Sequence, residues 1–316
     1  METIDFKKKI CSLPFTHLEI ACVHGDAIAT NVCCYLTDKE NYPITPGVIT
    51  NSVFDVWNSS AMLLIRKSIL DGSFKYCSRA FCPLILQNKL VNKSDVKDVF
   101  LKKIIDTNQI FLKEPPKVLS LATDKSCNLA CPSCRSDFTR EPKDDQYDHI
   151  EQLHEKIVNE VLPDLKMIIC CSSGEPFVSK IYSRLLFNLD GAKYPDLKIH
   201  LVTNGVLLDA ANWKKLSKIH KNITIVSISL DAATKNTYDQ IRVGGDFNRV
   251  IKNIKYINKF KKKNKDLQKL IFHLDFVVQQ KNYKEMVDFI KLSQKLDVKD
   301  IQFQKLRYNF NQLTDE

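Results

Sequence analysis

Val118-Leu-Ser-Leu-Ala122-Thr123-Asp-Lys-Ser-Cys127-Asn-Leu-Ala-Cys131-Pro-Ser-Cys134-Arg135 is an apolar run that turns directly into a loop carrying three cysteines. A short, nearly continuous apolar run reads as a buried strand. Three cysteines spaced by three and then two residues can converge from one loop, and thiolates are soft ligands suited to iron–sulfur clusters or zinc. Both of those want four ligands. The next cysteines, Cys170 and Cys171, lie far downstream inside another apolar run. The triplet therefore leaves one coordination position to something exchangeable.

Outward from this loop, short apolar runs alternate with amphipathic stretches. The pattern predicts strands at Val118 to Ala122, Met167 to Cys171, Lys198 to Thr203, Thr224 to Leu230, Leu270 to Val278 and Asp300 to Phe303. It predicts helices near 148–162, 178–189, 209–219, 246–262 and 283–295. Strands alternating with helices imply an α/β fold with a parallel sheet. Right-handed crossovers would curl that sheet into a partial (β/α)6 barrel, with chemistry at the carboxyl ends of the strands. Cys170 and Cys171 fall on a buried strand, where packing is the expected role of a free cysteine.

The cysteine loop resembles the Cys-x3-Cys-x2-Cys loop of the radical S-adenosylmethionine (SAM) enzymes. That resemblance implies a [4Fe-4S] cluster held by Cys127, Cys131 and Cys134, with the methionine part of SAM on the fourth iron. Later landmarks arrive in the family's order. Ser172-Ser173-Gly174-Glu175-Pro176 resembles the Gly-Gly-Glu-Pro segment, which implies that Ser173, Gly174 and Glu175 receive the amino group of SAM. Thr203-Asn204-Gly205 and Ser229-Leu230-Asp231 resemble the strand-end motifs, implying that Asn204, Ser229 and Asp231 face the ribose and methionine. Tyr238-Asp-Gln-Ile241-Arg242 resembles Tyr-x-x-Ile-Arg and implies that Arg242 grips the SAM carboxylate through a charge-assisted contact. Ser133 stands where the family usually has an aromatic residue against the adenine. The resemblance also implies an electron donor of flavodoxin or ferredoxin type and a small-molecule or peptide substrate.

Residues 1–95 hold six cysteines. Cys11-Ser-Leu-Pro14 leads into a strand from about His17, His24-Gly25-Asp26 reads as a hairpin turn, and the return strand delivers Cys33 and Cys34. Neighbours on a strand point to opposite faces, so one of that pair reaches a common site. Cys11, Cys33 or Cys34, Cys77 and Cys82 then make a closed set of four, suited to a structural zinc or an electron-carrying cluster. The order of Cys-x-x-Pro, glycine turn, cysteine pair, Trp57-Asn58, an Arg66-bearing helix and a closing cysteine pair resembles the twitch or SPASM domain. It implies an auxiliary [4Fe-4S] cluster on Cys11, Cys33, Cys77 and Cys82. Residues 96–116 read as a linker ending in Glu114-Pro115-Pro116, and 117–316 as the barrel.

Composition narrows the classes. With 316 residues, 44% hydrophobic and 27% charged, the chain is of ordinary globular make-up. No apolar run reaches the roughly 18 residues of a membrane span, and the start lacks a signal-peptide core, so a cytoplasmic location is expected. In a reducing compartment eleven cysteines point to metals or catalysis rather than disulfides. Much of the +10 net charge is lysine within 252–265, where apolar residues recur at helical spacing and the lysines fall on an outer face. The alternative function from another class is a zinc-stabilised nucleic-acid-binding protein, though those lysines are not interleaved with an aromatic ladder of the sort that stacks bases.

Overall fold

The parallel strands expected downstream of the cysteine loop are present, and they sit within one of two compact units. The computed structural model describes residues 4–22, 28–33, 35–37, 47–49, 52–135 and 145–306. Met1–Thr123 with Asp144–Met167 form the first unit, and Asp124–Lys143 with Ile168–Glu316 form the second.

In the first unit, β1 (Lys9–Ile10) pairs antiparallel with β5 (Val91–Asn92). A second sheet runs β6 (Val118–Ala122), β2 (His17–Cys22), β3 (Ile28–Asn31), β4 (Gly47–Ile49). Its β2 and β6 are parallel, whereas β2–β3 and β3–β4 are antiparallel. The turn His24-Gly25-Asp26 and Cys34 lie outside the described residues. Helices α1 (Leu13–Thr16), α2 (Val53–Trp57), α3 (Ser60–Leu70), α4 (Pro83–Leu86), α5 (Val99–Thr107) and α6 (Asp145–Val161) complete the unit. The stretch read as a linker therefore carries α5, whose Asp98 side chain accepts the Leu101 N–H at 2.8 Å and whose end is closed by Asn108 at φ 49°.

Arg66 organises the interior of this unit. Its Nε donates to the Pro14 carbonyl at 2.8 Å, and Nη1 donates to Asn58 Oδ1 and the Ile110 carbonyl at 3.0 Å each. The guanidinium lies 4.4 Å from the Trp57 ring centroid. Asn58 in turn brackets Leu112, donating to its carbonyl at 2.8 Å and accepting its N–H at 2.9 Å. Burial without a facing carboxylate lowers the Arg66 pKa to about 9. The Trp57-Asn58 pair and Arg66 thus bind the segment after Cys11 and the chain near 110 to one helix.

In the second unit, β7 (Met167–Cys170), β8 (Lys198–Thr203), β9 (Ile223–Ser229), β10 (Ile271–Val278) and β11 (Asp300–Lys305) lie side by side in chain order. The β8–β9, β9–β10 and β10–β11 pairs are parallel. The intervening helices are α7 (Lys180–Asn188), α8 (Ala210–Lys215), α9 (Lys235–Ile241), α10 (Phe247–Lys263) and α11 (Met286–Lys295). Side-chain caps start four of them: Ser179, Asp209, Thr234 and Asp246 each accept a first-turn N–H. Alternate strand residues, among them Leu201, Val226, Ile228, Leu274 and Phe276, are fully buried. Each contributes about 1.5–3 kcal/mol by leaving water. Phe276 meets Phe289 of α11 at 4.8 Å between centroids, so this face of the sheet is the helix-covered one. On α10, Lys252, Lys255, Lys259, Lys262 and Lys263 are exposed while Ile254 and Ile257 are buried, which is the outer lysine face expected.

Candidate functional site

Cys127, Cys131 and Cys134 follow in the loop that opens the second unit, one half-buried, one buried and one exposed. Asp124 fixes that loop. Its carboxylate accepts the Ser126 N–H at 2.8 Å, the Ser126 hydroxyl at 2.6 Å and the Ser179 hydroxyl at 2.6 Å. Its own N–H donates to the Tyr182 hydroxyl at 2.8 Å. Ser179 also caps α7, so the loop is fastened to a helix terminus.

The Gly-Glu-Pro turn presses on the same loop from behind. Gly174 sits at φ +80°, and a Cβ there would stand 2.5 Å from the Asp124 carbonyl oxygen and 2.9 Å from that of Ser126. Only glycine permits both the conformation and the approach. Ser173 is not among the residues with positive φ. The Glu175 N–H donates to the Ser126 carbonyl at 2.8 Å. The Glu175 carboxylate is fully buried and accepts the Thr203 hydroxyl and the Asn204 N–H, both at 2.7 Å. Burial outweighs those bonds and raises its pKa to about 7.

Each thiol faces a nitrogen donor. Cys127 Sγ accepts the Leu129 N–H at 3.4 Å and Asn204 Nδ2 at 3.8 Å. Cys131 Sγ accepts Arg242 Nη1 at 3.8 Å, and Cys134 Sγ accepts Arg135 Nη2 at 3.4 Å. Asn204 Nδ2 also donates to Asn128 Oδ1 at 2.9 Å, tying the end of β8 to the loop. Arg242 pairs with Asp231 at 2.6 Å, with side chains only 13% and 4% exposed. Asp231, at φ 57°, further accepts the Val277 N–H at 2.7 Å. Burial pushes the Cys127 and Cys131 thiols up, and the Arg242 guanidinium opposes this at Cys131. Metal binding would thus release protons from both.

This donor set fits an iron–sulfur cluster: three thiols on one loop, each supplied with an N–H of the kind that tunes cluster sulfurs. A further observation fits a bound anionic group beside it. Arg242 Nε is buried with no partner among the described residues. Glu175, Asn204 and Asp231, which follow strands, and Arg242, at the end of α9, are thus joined by hydrogen bonds or an ion pair to the cysteine loop or to one another. Ser229 lies one level below Asp231, in register with Asp275. Asp124, Ser126, Ser179 and Tyr182 were not anticipated. Their only signal was a serine three residues ahead of Tyr182 at the start of an apolar-periodic stretch. Cys170 and Cys171 are buried, and burial raises both thiols.

In the first unit Cys11, Cys33, Cys77 and Cys82 line one cavity of about 290 Å³. His17, Glu19 and apolar residues such as Val32, Leu36 and Ile69 form the rest of its wall. Burial raises the Cys11 thiol to about 11. Burial, then the neighbouring Cys11, Cys33 and Cys82, raises Cys77 to about 12. Among the described residues no three His, Cys, Asp or Glu side chains are gathered as around a single bound ion.

A three-thiol loop at the strand ends of a parallel α/β sheet, backed by a buried glutamate and a paired arginine, defines a class of cluster-dependent enzymes. The radical SAM superfamily model matches residues 125–293, more than half of the chain, and the chain belongs to that superfamily. Its alternating strands and helices are the family's α/β partial barrel, and SAM and a [4Fe-4S] cluster are the family's cofactors. Among curated proteins, a probable GTP 3',8-cyclase of Saccharolobus solfataricus is 32% identical over 131 residues, 41% of this chain and 38% of that protein. Another of the same description from Saccharolobus islandicus is 31% identical over the same shares. The chain thus spans well under half the length of these relatives. Solved structures similar to it include anSMEcpe with bound AdoMet (24% identity, TM-score 0.43, 60% of this chain and 51% of that one). Streptococcus suis SuiB bound to S-adenosylmethionine is also similar (16% identity, TM-score 0.47, 84% and 59%). Among the described residues no helix is long and apolar enough to cross a membrane.

Proposed function

We propose that the chain binds SAM at a [4Fe-4S] cluster held by Cys127, Cys131 and Cys134 and uses it to remove hydrogen from a substrate carbon. When bound, the cluster and SAM supply reductive cleavage to methionine and a 5'-deoxyadenosyl radical, chemistry that belongs to the cofactors. The protein's own part is positional. Asp124 and Gly174 hold the loop, Arg242 and Asn204 direct N–H groups at sulfur, and Glu175 in its ionised form offers a buried carboxylate to the SAM ammonium. Arg242 Nε is the free donor for the SAM carboxylate.

The observation that carries the reading is the donor set on the three thiols, with a partnerless arginine nitrogen beside it. The test is anaerobic reconstitution followed by SAM and dithionite: 5'-deoxyadenosine should be released, and Cys131→Ala should abolish both release and the cluster. A colourless zinc protein would overturn it.

The same reading places an auxiliary [4Fe-4S] cluster on Cys11, Cys33, Cys77 and Cys82. Its support is the shared cavity and the mutual influence of those thiols on Cys77. Cys77→Ala should halve the iron content and leave the SAM-responsive cluster in place; unchanged iron would remove the auxiliary site. An electron donor of flavodoxin or ferredoxin type and a cytoplasmic location complete the proposal.

A further inference from the structure

The face of the second unit's sheet that carries no helices is unusually polar for parallel strands, which are commonly apolar on both sides. Register places Ser227 beside His273, and Ser229 beside Asp275. His273 and Asp275 in turn lie beside Asp300 and Gln302. Residues Phe272, Leu274 and Phe276, which alternate with these, point the other way into the helix-covered core. His200 Nε2 and Ser227 Oγ are 2.7 Å apart. His273 lies between two carboxylates, Nε2 at 3.2 Å from Asp275 Oδ1 and Nδ1 at 3.2 Å from Asp300 Oδ1. Gln304 Nε2 also donates to Asp275 Oδ1 at 3.1 Å.

Two donors, His273 and Gln304, therefore hold Oδ1 of Asp275, and among the described residues none hydrogen-bonds to Oδ2. The position of Asp275 relative to the cofactor pocket is fixed by backbone: its carbonyl accepts the N–H groups of Leu230 at 3.2 Å and Asp231 at 3.3 Å. Asp231 is the partner of Arg242, which reaches Cys131. Among the described residues at the carboxyl halves of β8 to β10 on this face, none is lysine or arginine, and the nearby Arg242 is already engaged with Asp231.

Resting on the radical SAM reading above, we propose that this face, centred on Asp275 with His273 and His200 beside it, is the substrate site. Its occupant is an uncharged polar molecule, rich in hydroxyl or amide groups, that donates a hydrogen bond to Asp275 next to the carbon that loses hydrogen. Asp275 and Asp300, faced by no lysine or arginine among the described residues at the carboxyl halves of β8 to β10 on this face, repel a polyphosphate. On this proposal the ligand of this surface is not the GTP named for the relatives described as probable GTP 3',8-cyclases.

The test uses the reconstituted full chain with SAM and dithionite. Extract of the producing cells is split by anion exchange, and 5'-deoxyadenosine release is measured with the unretained pool, the retained pool and GTP. The unretained pool should stimulate release over the substrate-free background, and the other two should not. Asp275→Asn and His273→Gln should each lower the stimulated rate by about tenfold or more, the loss of one hydrogen bond to a charged group. Their iron content and SAM-induced spectral change should match those of the unsubstituted protein, which separates a lost substrate contact from a misfolded chain. Stimulation by GTP or the retained pool, by neither pool, or undiminished in both variants overturns the proposal. Absence of any SAM-induced spectral change in the unsubstituted protein would instead overturn the radical SAM reading beneath it.

Discussion

Arg242→Gln is the most informative single perturbation. The guanidinium sits 2.6 Å from an Asp231 carboxylate that is only 4% exposed. Without it, Asp231 keeps the Val277 N–H as a partner but loses its counter-charge. Breaking a buried pair from one side costs about 3–5 kcal/mol, because the remaining charge is left in a poorly solvated place. For a chain of this size that corresponds to a fall in melting temperature of roughly 10 °C. Asp231→Asn alone should cost less, since the arginine keeps Cys131 as an acceptor at 3.8 Å. The double variant should recover most of the loss, because neither charge is then buried alone. Circular dichroism melts of the metal-free chain under reducing conditions measure all three. A coupling below about 0.5 kcal/mol in that cycle would refute the claim that the pair is formed and buried. In the reconstituted protein, removing the positive charge should also make the cluster harder to reduce, by on the order of tens of millivolts.

Other expectations follow from the same geometry. The Glu175 pKa is raised from 4.5 to about 7, so the unfolded chain ionises first as pH rises. Stability should therefore fall between about pH 4.5 and pH 7, by on the order of 3 kcal/mol, and level off above; Glu175→Gln should flatten this part of the profile in pH-dependent denaturation. SAM binding, followed by titration calorimetry, should tighten as pH rises through about 7 because the ionised carboxylate then dominates. Gly174→Ala should cost roughly 1–3 kcal/mol through backbone strain alone and reduce iron retention, since its Cβ would press on the cluster loop. Arg66→Met should lower the stability of the first unit by about 3 kcal/mol, exposing the chain near Pro14 and Ile110 to faster amide exchange; unchanged protection there would show that the arginine does not bind those segments.

The fold was legible because parallel strands announce themselves as short apolar runs, and β6, β8, β10 and β11 fall where those runs do. Helix α9 was not, since Lys235-Asn-Thr-Tyr-Asp-Gln-Ile lacks an apolar stripe and, besides its Thr234 cap, is held by Glu285. That carboxylate accepts the Ala233 N–H at 2.7 Å and the Thr234 and Thr237 hydroxyls at 2.6 Å each. Thr234 caps the helix locally, and no local pattern encodes this second support, which comes from 48 residues away in the chain. For α5 the signals were present in Asp98 and Asn108, but the polar, lysine-rich sequence before them read as a connection. Among site residues, the cysteines and strand ends were legible from spacing and order. The Asp231–Arg242 pairing and the Glu175 contacts depend on how separate strand ends meet, which spacing does not specify. His273 and Asp275 had a signal that went unused: in Ile271-Phe-His-Leu-Asp-Phe276 polar residues alternate with apolar ones, and in a parallel sheet such alternation marks a face that helices do not cover.

The most direct measurement is electron paramagnetic resonance of the reduced, reconstituted protein before and after adding SAM. A [4Fe-4S] signal that shifts on addition, and that is lost in Cys131→Ala, is the expected result. A signal indifferent to SAM, or one that survives loss of that thiol at full iron content, would contradict the assignment of an iron left open for SAM.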